Sequence, residues 1–202
     1  MEKFFKKLFA LDLGSTKFCI AGLILNHKQS YDLNIISIPS LGTKNGMICD
    51  LNAAQNALSN LVSKAESALN EDISECVVGV SGTHIFNEIY MVNYPLNHRR
   101  VDQRLLQQIE SECYKKAHKD SYEILNLIPI SYVIDSRPST VNPLGCSGKD
   151  LMVKCFVVYA DKYYLQDVVC LCNAVGLKVI NLYSECLASA AVCVNEEKKN
   201  LV

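Results

Sequence analysis

An aspartate, a glycine, two hydroxyl residues and a lysine follow closely on one another in ALDLGSTK, residues 10 to 17. The apolar residues before Asp12 read as a strand, so its carboxylate is delivered at a strand's end. Gly14 has no side chain to keep backbone N–H groups away from a phosphate. Ser15 and Thr16 can donate hydroxyl hydrogen bonds, and Lys17 can bring a mobile positive charge to a terminal phosphate. Asp12 can hold a magnesium ion through its water shell, because that cation prefers carboxylate and phosphate oxygens. The same residue types also make an ordinary hairpin turn, since Asp, Gly, Ser and Thr all favour turns. A salt-bridged strand lysine would look like Lys17. The motif by itself leaves the two readings open, and no residue in it reads as a catalytic acid or base.

Other candidate groups are less pointed. Most of the ten cysteines lie in apolar runs such as residues 155 to 158, and the closest pair, Cys170 and Cys172, would face different sides of a helix. No second pair has metal-ligand spacing, so reduced structural thiols are expected rather than a disulfide framework or a metal site. His84, His98 and His118 have no Cys or second His at ligand distance in sequence and read as structural or solvated. Arg99-Arg100 and Lys115-Lys116 read as exposed helix ends, with a place in an interaction surface as the lesser alternative. Twenty basic and 21 acidic residues leave a net charge of -1, which gives no single-signed surface for nucleic acid or anionic lipid. No apolar run approaches the roughly 20 residues of a membrane-spanning helix. Phe4, Phe5, Leu8 and Phe9 among Lys3, Lys6 and Lys7 read as a solvated leader into a strand rather than a membrane-surface helix.

The elements that must position these groups follow from hydrophobic periodicity. The chain has 202 residues, half of them apolar, which is enough for a real core. Residues 7–13, 17–26 and 31–38 read as three strands of a meander, 39–46 as a loop, and Asp50 as the cap of an amphipathic helix through Leu69. A strand at 76–80 precedes a change of pattern: strand 85–94, helix from about Asp102, strand 127–134 containing Pro129, irregular loop 136–150 and strand 151–159. Then come helix 162–174, a stop at Gly176, strand 177–182 and helix 184–195. Without residues 84–160 the order is three strands, helix, strand, helix, strand, helix. That order is similar to the ribonuclease-H-like half of actin-like ATPases, which place their first phosphate loop in the hairpin between strands one and two. The expected fold is therefore α/β: an actin-like, ribonuclease-H-like lobe formed by 1–83 and 161–202, with a strand-helix-strand-strand subdomain at 84–160 inserted into it.

Several motifs in order carry a resemblance to the bacterial cell-division family FtsA. ALDLGSTKFCIAGL resembles the family's first phosphate motif, and LGTKNGMICDLNAAQNAL its glycine-rich loop and following helix. VVGVSGTHI at 77 to 85 resembles the strand leading into the small subdomain called 1C. NPLGCSGKDL at 142 to 151 is similar to the family's D-P-x-G-M-x-G-x-x-L, and SECLASAAVCV at 184 to 194 to its E-P-L-A-S-A helix. Asn142, Cys146 and Cys186 stand where the family generally has an acidic residue, methionine and proline.

The resemblance implies a cytoplasmic protein, peripheral on the inner membrane, that binds ATP with Mg2+ between two actin-like lobes and turns it over weakly at most. It implies self-association through 1C and links to FtsZ and other division proteins, with no nucleic-acid partner. The nucleotide-binding residues carried over are Asp12, Gly14, Ser15, Thr16, Lys17 and Glu185. Glu185 reads equally as a cleft-facing acid or as a carboxylate favoured by the dipole of a helix's first turn. The family's second phosphate loop, adenosine pocket and membrane-targeting helix are expected after the segment that ends at Asn200-Leu201-Val202. This chain alone is therefore expected to bind ATP poorly and to show an apolar face near Gly14, Glu185 and Ala188. Alternatives are a binding module like the pilus-assembly protein PilM, or a sugar or acetate kinase of the same superfamily.

Overall fold

A computed structural model describes residues 6–27 and 29–193. The expected leader at Lys3, Phe4 and Phe5, and the end of the expected last helix, lie outside the described residues. The chain divides into two compact units, one reaching up to His84 and resuming at Tyr163, the other spanning Ile85–Lys162.

The first unit is built on strands β1 (Lys7–Leu13), β2 (Lys17–Leu25) and β3 (Tyr31–Pro39), paired antiparallel in sequence order. Strand alternation sends Phe9, Leu11, Phe18 and Ile20 to one buried face. After a small hairpin of β4 (Thr43–Lys44) and β5 (Met47–Ile48), Asp50 caps helix α1 (Leu51–Leu69) by accepting the Ala53 N–H at 3.0 Å. That hairpin occupies the segment expected to be a plain loop; Gly42 permits it, with φ +75 and Asp50 O only 2.2 Å from where a Cβ would lie. Ala54, Ala57, Leu58, Leu61, Val62 and Ala65 recur at helical spacing and are the buried stripe of α1. Helix α1 packs against β2 and β3, and Gly22 lets its end approach, since a Cβ there would meet Leu69 Cδ1 at 3.0 Å.

Strand β6 (Glu75–Val80) pairs parallel with β1, and β10 (Lys178–Ser184) pairs parallel with β6, giving the five-strand order β10-β6-β1-β2-β3. Helix α3 (Lys162–Ala174) buries Leu165, Val168, Leu171 and Cys172. Helix α4 (Glu185–Cys193) buries none of its residues.

The second unit is a three-stranded antiparallel sheet in the order β7-β9-β8, from β7 (Ile85–Pro95), β8 (Tyr122–Ile134) and β9 (Asp150–Asp161), with helix α2 (Gln103–Ala117) on one face. Asp102 caps α2, and Leu105, Ile109, Cys113 and Ala117 bury along it. Their core includes Val92, Leu151, Val153, Cys155, Val157 and Tyr159. Strand β8 begins five residues earlier than its apolar run suggests, with irregular register at Ile124/Asn126 and Pro129/Ser131. Pro129 is tolerated because β8 is an edge strand of this sheet. This sheet has no strand in common with that of the first unit.

All ten thiols are free. Cys76, Cys113, Cys155 and Cys172 are buried, whereas Cys49, Cys170, Cys186 and Cys193 are exposed rather than packed.

Candidate functional site

The parallel register of the first unit brings three strand ends together. Asp12 on β1 lies opposite Gly79 on β6, and Gly79 lies opposite Tyr183 on β10, with Val80 opposite Ser184. The next residue, Glu185, opens α4. In α/β sheets of this kind the crevice at the carboxyl ends of parallel strands is where ligands bind. Each strand here contributes a different part of that end.

Asp12 and Glu185 are both half-buried and near enough for the Asp12 charge to act on Glu185, with Ser81 also close to that carboxyl. Burial pushes the Glu185 carboxyl above its usual range, the neighbouring Asp12 charge adds to that rise, and Ser81 opposes it. The backbone makes the approach possible, since a Cβ on Gly79 would sit 2.9 Å from Glu185 Cγ. Tyr164 on α3 donates its phenol to Ser81 O at 3.1 Å, and its ring stacks on His84 at 5.0 Å between centroids. The His84 Nε2 is buried without a protein partner.

The hairpin that follows Asp12 is held from the side. Gly14 is fixed by space: a Cβ there would lie 2.8 Å from Lys17 O. Thr43 Oγ1 donates to Gly14 O at 3.1 Å, and Gly46 N–H donates to Ser15 Oγ at 2.9 Å. The Ser15 oxygen therefore anchors the β4–β5 hairpin, a role the motif did not announce, while its own proton is still available to donate. Thr16 is exposed, with its carbonyl accepting the Ser40 N–H at 3.1 Å. Lys17 is exposed as the first residue of β2, opposite Pro39. Gly46 and Gly82 pack backbone to backbone, a Cβ on Gly46 meeting Gly82 Cα at 3.1 Å.

The structure thus brings Asp12 and Glu185 into contact and sets Gly14, Ser15, Thr16 and Lys17 on the hairpin that follows Asp12. Glu185 stands in the first turn of α4, near Asp12. Sequence reasoning missed Ser81, Tyr164, Gly79 and Gly46. For Ser81 and Gly79 a signal existed, because they end a strand parallel to β1; for Tyr164 there was none. Two carboxylates drawn partly out of water with one hydroxyl donor are short of positive charge. A hydrated divalent cation would supply it, and the oxygen-only donor set suits magnesium.

Two cavities lie elsewhere in this unit. One of about 100 Å³ sits at the opposite, amino ends of the strands and is lined by Lys7, Phe9, Asp72, Glu75 and Ile180. The other, of about 300 Å³, is lined by Ser59, Ser63, Glu66, Asp72 and Gly176. Among the described residues no group of three or more His, Cys, Asp or Glu side chains is arranged to hold a metal by protein ligands alone, and no helix is long and apolar enough to cross a membrane.

Comparison with known proteins bears on both units. Residues 82–159 match the family model described as the SHS2 domain inserted in FtsA. The cell division protein FtsA of Escherichia coli K12 is 27% identical over 199 residues, a match covering 97% of this chain and 47% of that protein. FtsA of Pseudomonas aeruginosa is 25% identical over 197 residues, covering 97% of this chain and 47% of its own length. The chain spans about half the length of these curated relatives. Among solved structures, a chain of the PilM-PilN type IV pilus biogenesis complex superposes with a TM-score of 0.61 at 13% identity, over 91% of this chain and 49% of that one. At that identity the likeness speaks for the fold, which is the expected α/β actin-like lobe with its insertion. With an SHS2 match on the inserted unit and an alignment running through both units, the chain is similar to the FtsA cell-division proteins.

Proposed function

We propose that this chain forms the first lobe and SHS2 domain of a cell-division protein that binds ATP with Mg2+, self-associates through the SHS2 domain, and links FtsZ filaments to the cytoplasmic face of the inner membrane. The observation that carries the nucleotide part is the acidic pair Asp12 and Glu185, placed at the carboxyl ends of the parallel strands beside a buttressed glycine hairpin. In this reading the backbone N–H groups at Gly14 to Thr16 and the Lys17 ammonium face the phosphates, and Asp12 holds the metal through water. Bound magnesium supplies charge neutralisation to the phosphates. Ser81 and Tyr164 keep Glu185 oriented toward Asp12. Nucleotide acts mainly as a conformational and assembly ligand, a reading drawn from the kinship with FtsA proteins. The division role, FtsZ link and membrane attachment are drawn from the kinship with FtsA proteins.

Isothermal titration tests this reading. Asp12→Asn in the full-length protein should weaken MgATP binding at least tenfold, about 1.4 kcal/mol. Unchanged affinity would overturn the assignment of the site. Residues 1 to 202 alone should bind MgATP more weakly than low-micromolar, since one set of phosphate contacts must offset the whole cost of association.

The PilM-like binding module remains the second reading. It rests on the 0.61 superposition, which at 13% identity concerns architecture only.

A further inference from the structure

The near-zero net charge conceals a local segregation in the second unit. At the end where β7 and β8 finish and β9 begins, residues 96–101 are stitched to 145–149. The Leu96 and Asn97 N–H groups donate to Lys149 O, His98 N–H to Gly148 O, Val101 N–H to Cys146 O, and Gly145 N–H to Val101 O. The stitching sets Arg99 and Arg100 beside Lys149, with Arg104 in the first turn of α2 and Arg137 just past the end of β8. All five cationic residues are exposed. The positive end of the α2 dipole lies at the same place.

Of the three neighbouring carboxylates, Asp102 and Asp135 are committed to backbone, and Asp150 is exposed beside Lys149. Asp102 accepts the Leu105 N–H at 2.7 Å, and one Asp135 oxygen accepts the N–H groups of Asp150 and Lys149 at 3.1 and 2.9 Å. Those two bonds hold the Asp135 carboxyl below its usual range, Arg137 standing 3.9 Å from its other oxygen. An ordered turn follows Arg137 in the chain: Thr140 Oγ1 accepts the Asn142 N–H at 3.2 Å, and Asn142 Oδ1 accepts the Leu144 N–H at 3.1 Å. The turn leaves Val141 84% and Leu144 45% exposed.

Five exposed cations at one end of the unit, with two exposed aliphatic side chains on the adjoining turn, match the chemistry of a phosphate-bearing lipid layer. The cations pair with headgroup phosphates while the aliphatic groups enter the boundary beneath them. An acidic peptide is normally held in a groove or along a strand edge. We infer that this tip of the SHS2 domain docks on an anionic lipid surface. The inference goes beyond the proposed function, since it needs neither nucleotide nor any segment outside residues 96–150.

Vesicle co-sedimentation of the full chain tests it, with phosphatidylglycerol-containing vesicles set against pure phosphatidylcholine. Retention should be selective for the anionic vesicles and fall as salt is raised. Arg99→Gln, Arg100→Gln and Lys149→Gln together should reduce it at least about tenfold, each basic residue contributing several-fold. Val141→Ser should reduce it about threefold through lost apolar contact. A charge-matched control with Lys64→Gln, Lys116→Gln and Lys178→Gln should bind like wild type. Thermal melts of each variant identify any misfolded one, and Arg99→Gln alone, at an exposed loop position, provides a mild second measurement. Equal retention on both vesicle types, or equal losses in tip and control variants, would overturn the inference. So would binding of a poly-glutamate peptide without retention on vesicles, which would assign the tip to an acidic polypeptide.

Discussion

Two glutamates in the two units meet opposite environments. Glu88 on β7 takes the Lys119 ammonium at 2.6 Å and the Tyr90 hydroxyl at 2.8 Å, and these bonds hold its carboxyl below the usual range. The same ammonium lies over the rings of Phe86 and Tyr159, at 5.3 and 5.0 Å, while Tyr159 donates to Ala117 O at 2.6 Å. Glu88, Tyr90, Lys119 and Tyr159 thus each have a partner within their own unit, although Asn126 Oδ1 of the same sheet is buried without one. Glu185 is instead drawn out of water beside a second carboxylate and pushed upward. A satisfied acid contributes to the stability of the fold, whereas an acid held in deficit is poised for a ligand that supplies the missing charge. Packing follows the same division: the core of the SHS2 unit is closed, while α4, which begins with Glu185, buries nothing.

The widest separation should come from packing. Leu151→Ala, at a fully buried core position of the SHS2 unit, should cost about 2–5 kcal/mol in urea unfolding. Leu187→Ala on α4 should cost less than about 1 kcal/mol, because no residue of that helix is buried. Similar costs at both positions would break the comparison.

The two glutamates sharpen it through the sign of their pH dependence. Glu88 has a lowered folded pKa, so its contribution is present above the ordinary glutamate range and is lost as pH falls through the folded value. Glu88→Gln should therefore lower Tm at neutral pH, with the difference from wild type closing on acidification. Glu185 has a raised folded pKa, so its ionisation opposes folding at neutral pH and the penalty disappears as pH falls through that value to the ordinary range. Glu185→Gln should raise Tm at neutral pH, with the gain vanishing in acid. Two shifts of the same sign across a pH series of thermal melts would show that the environments do not differ in this way.

The smallest effect on stability belongs to the uncovered helix itself. Val192 is 86% exposed, and Val192→Ser should leave stability within about 0.5 kcal/mol while reducing self-association of the chain at high concentration. Sedimentation velocity checks it, and a strictly monomeric wild type would count against an apolar face at α4.

Much of the fold was legible because its signals are local. Asp50 and Asp102 announced the starts of α1 and α2, Gly176 follows the end of α3, and β1 has the limits its apolar run implied. Strand β8 extends beyond its apolar run because Glu123 and Asn126 are polar and its register is irregular, so alternation fades where pairing to β9 still continues. The β4–β5 hairpin escaped notice because two-residue strands have no period to detect.

In the site, the composition of residues 12 to 17 determined by itself that an anion could be approached there, through a glycine turn next to a carboxylate. It could not separate that role from a plain turn. Only the parallel alignment of β1, β6 and β10 decided that Glu185, far along the chain, would stand beside Asp12, next to the Ser81 carbonyl that Tyr164 bonds. Sequence spacing dictates which face of an element a side chain occupies, but register between distant strands depends on how whole elements pack, and that register assembled the acidic pair.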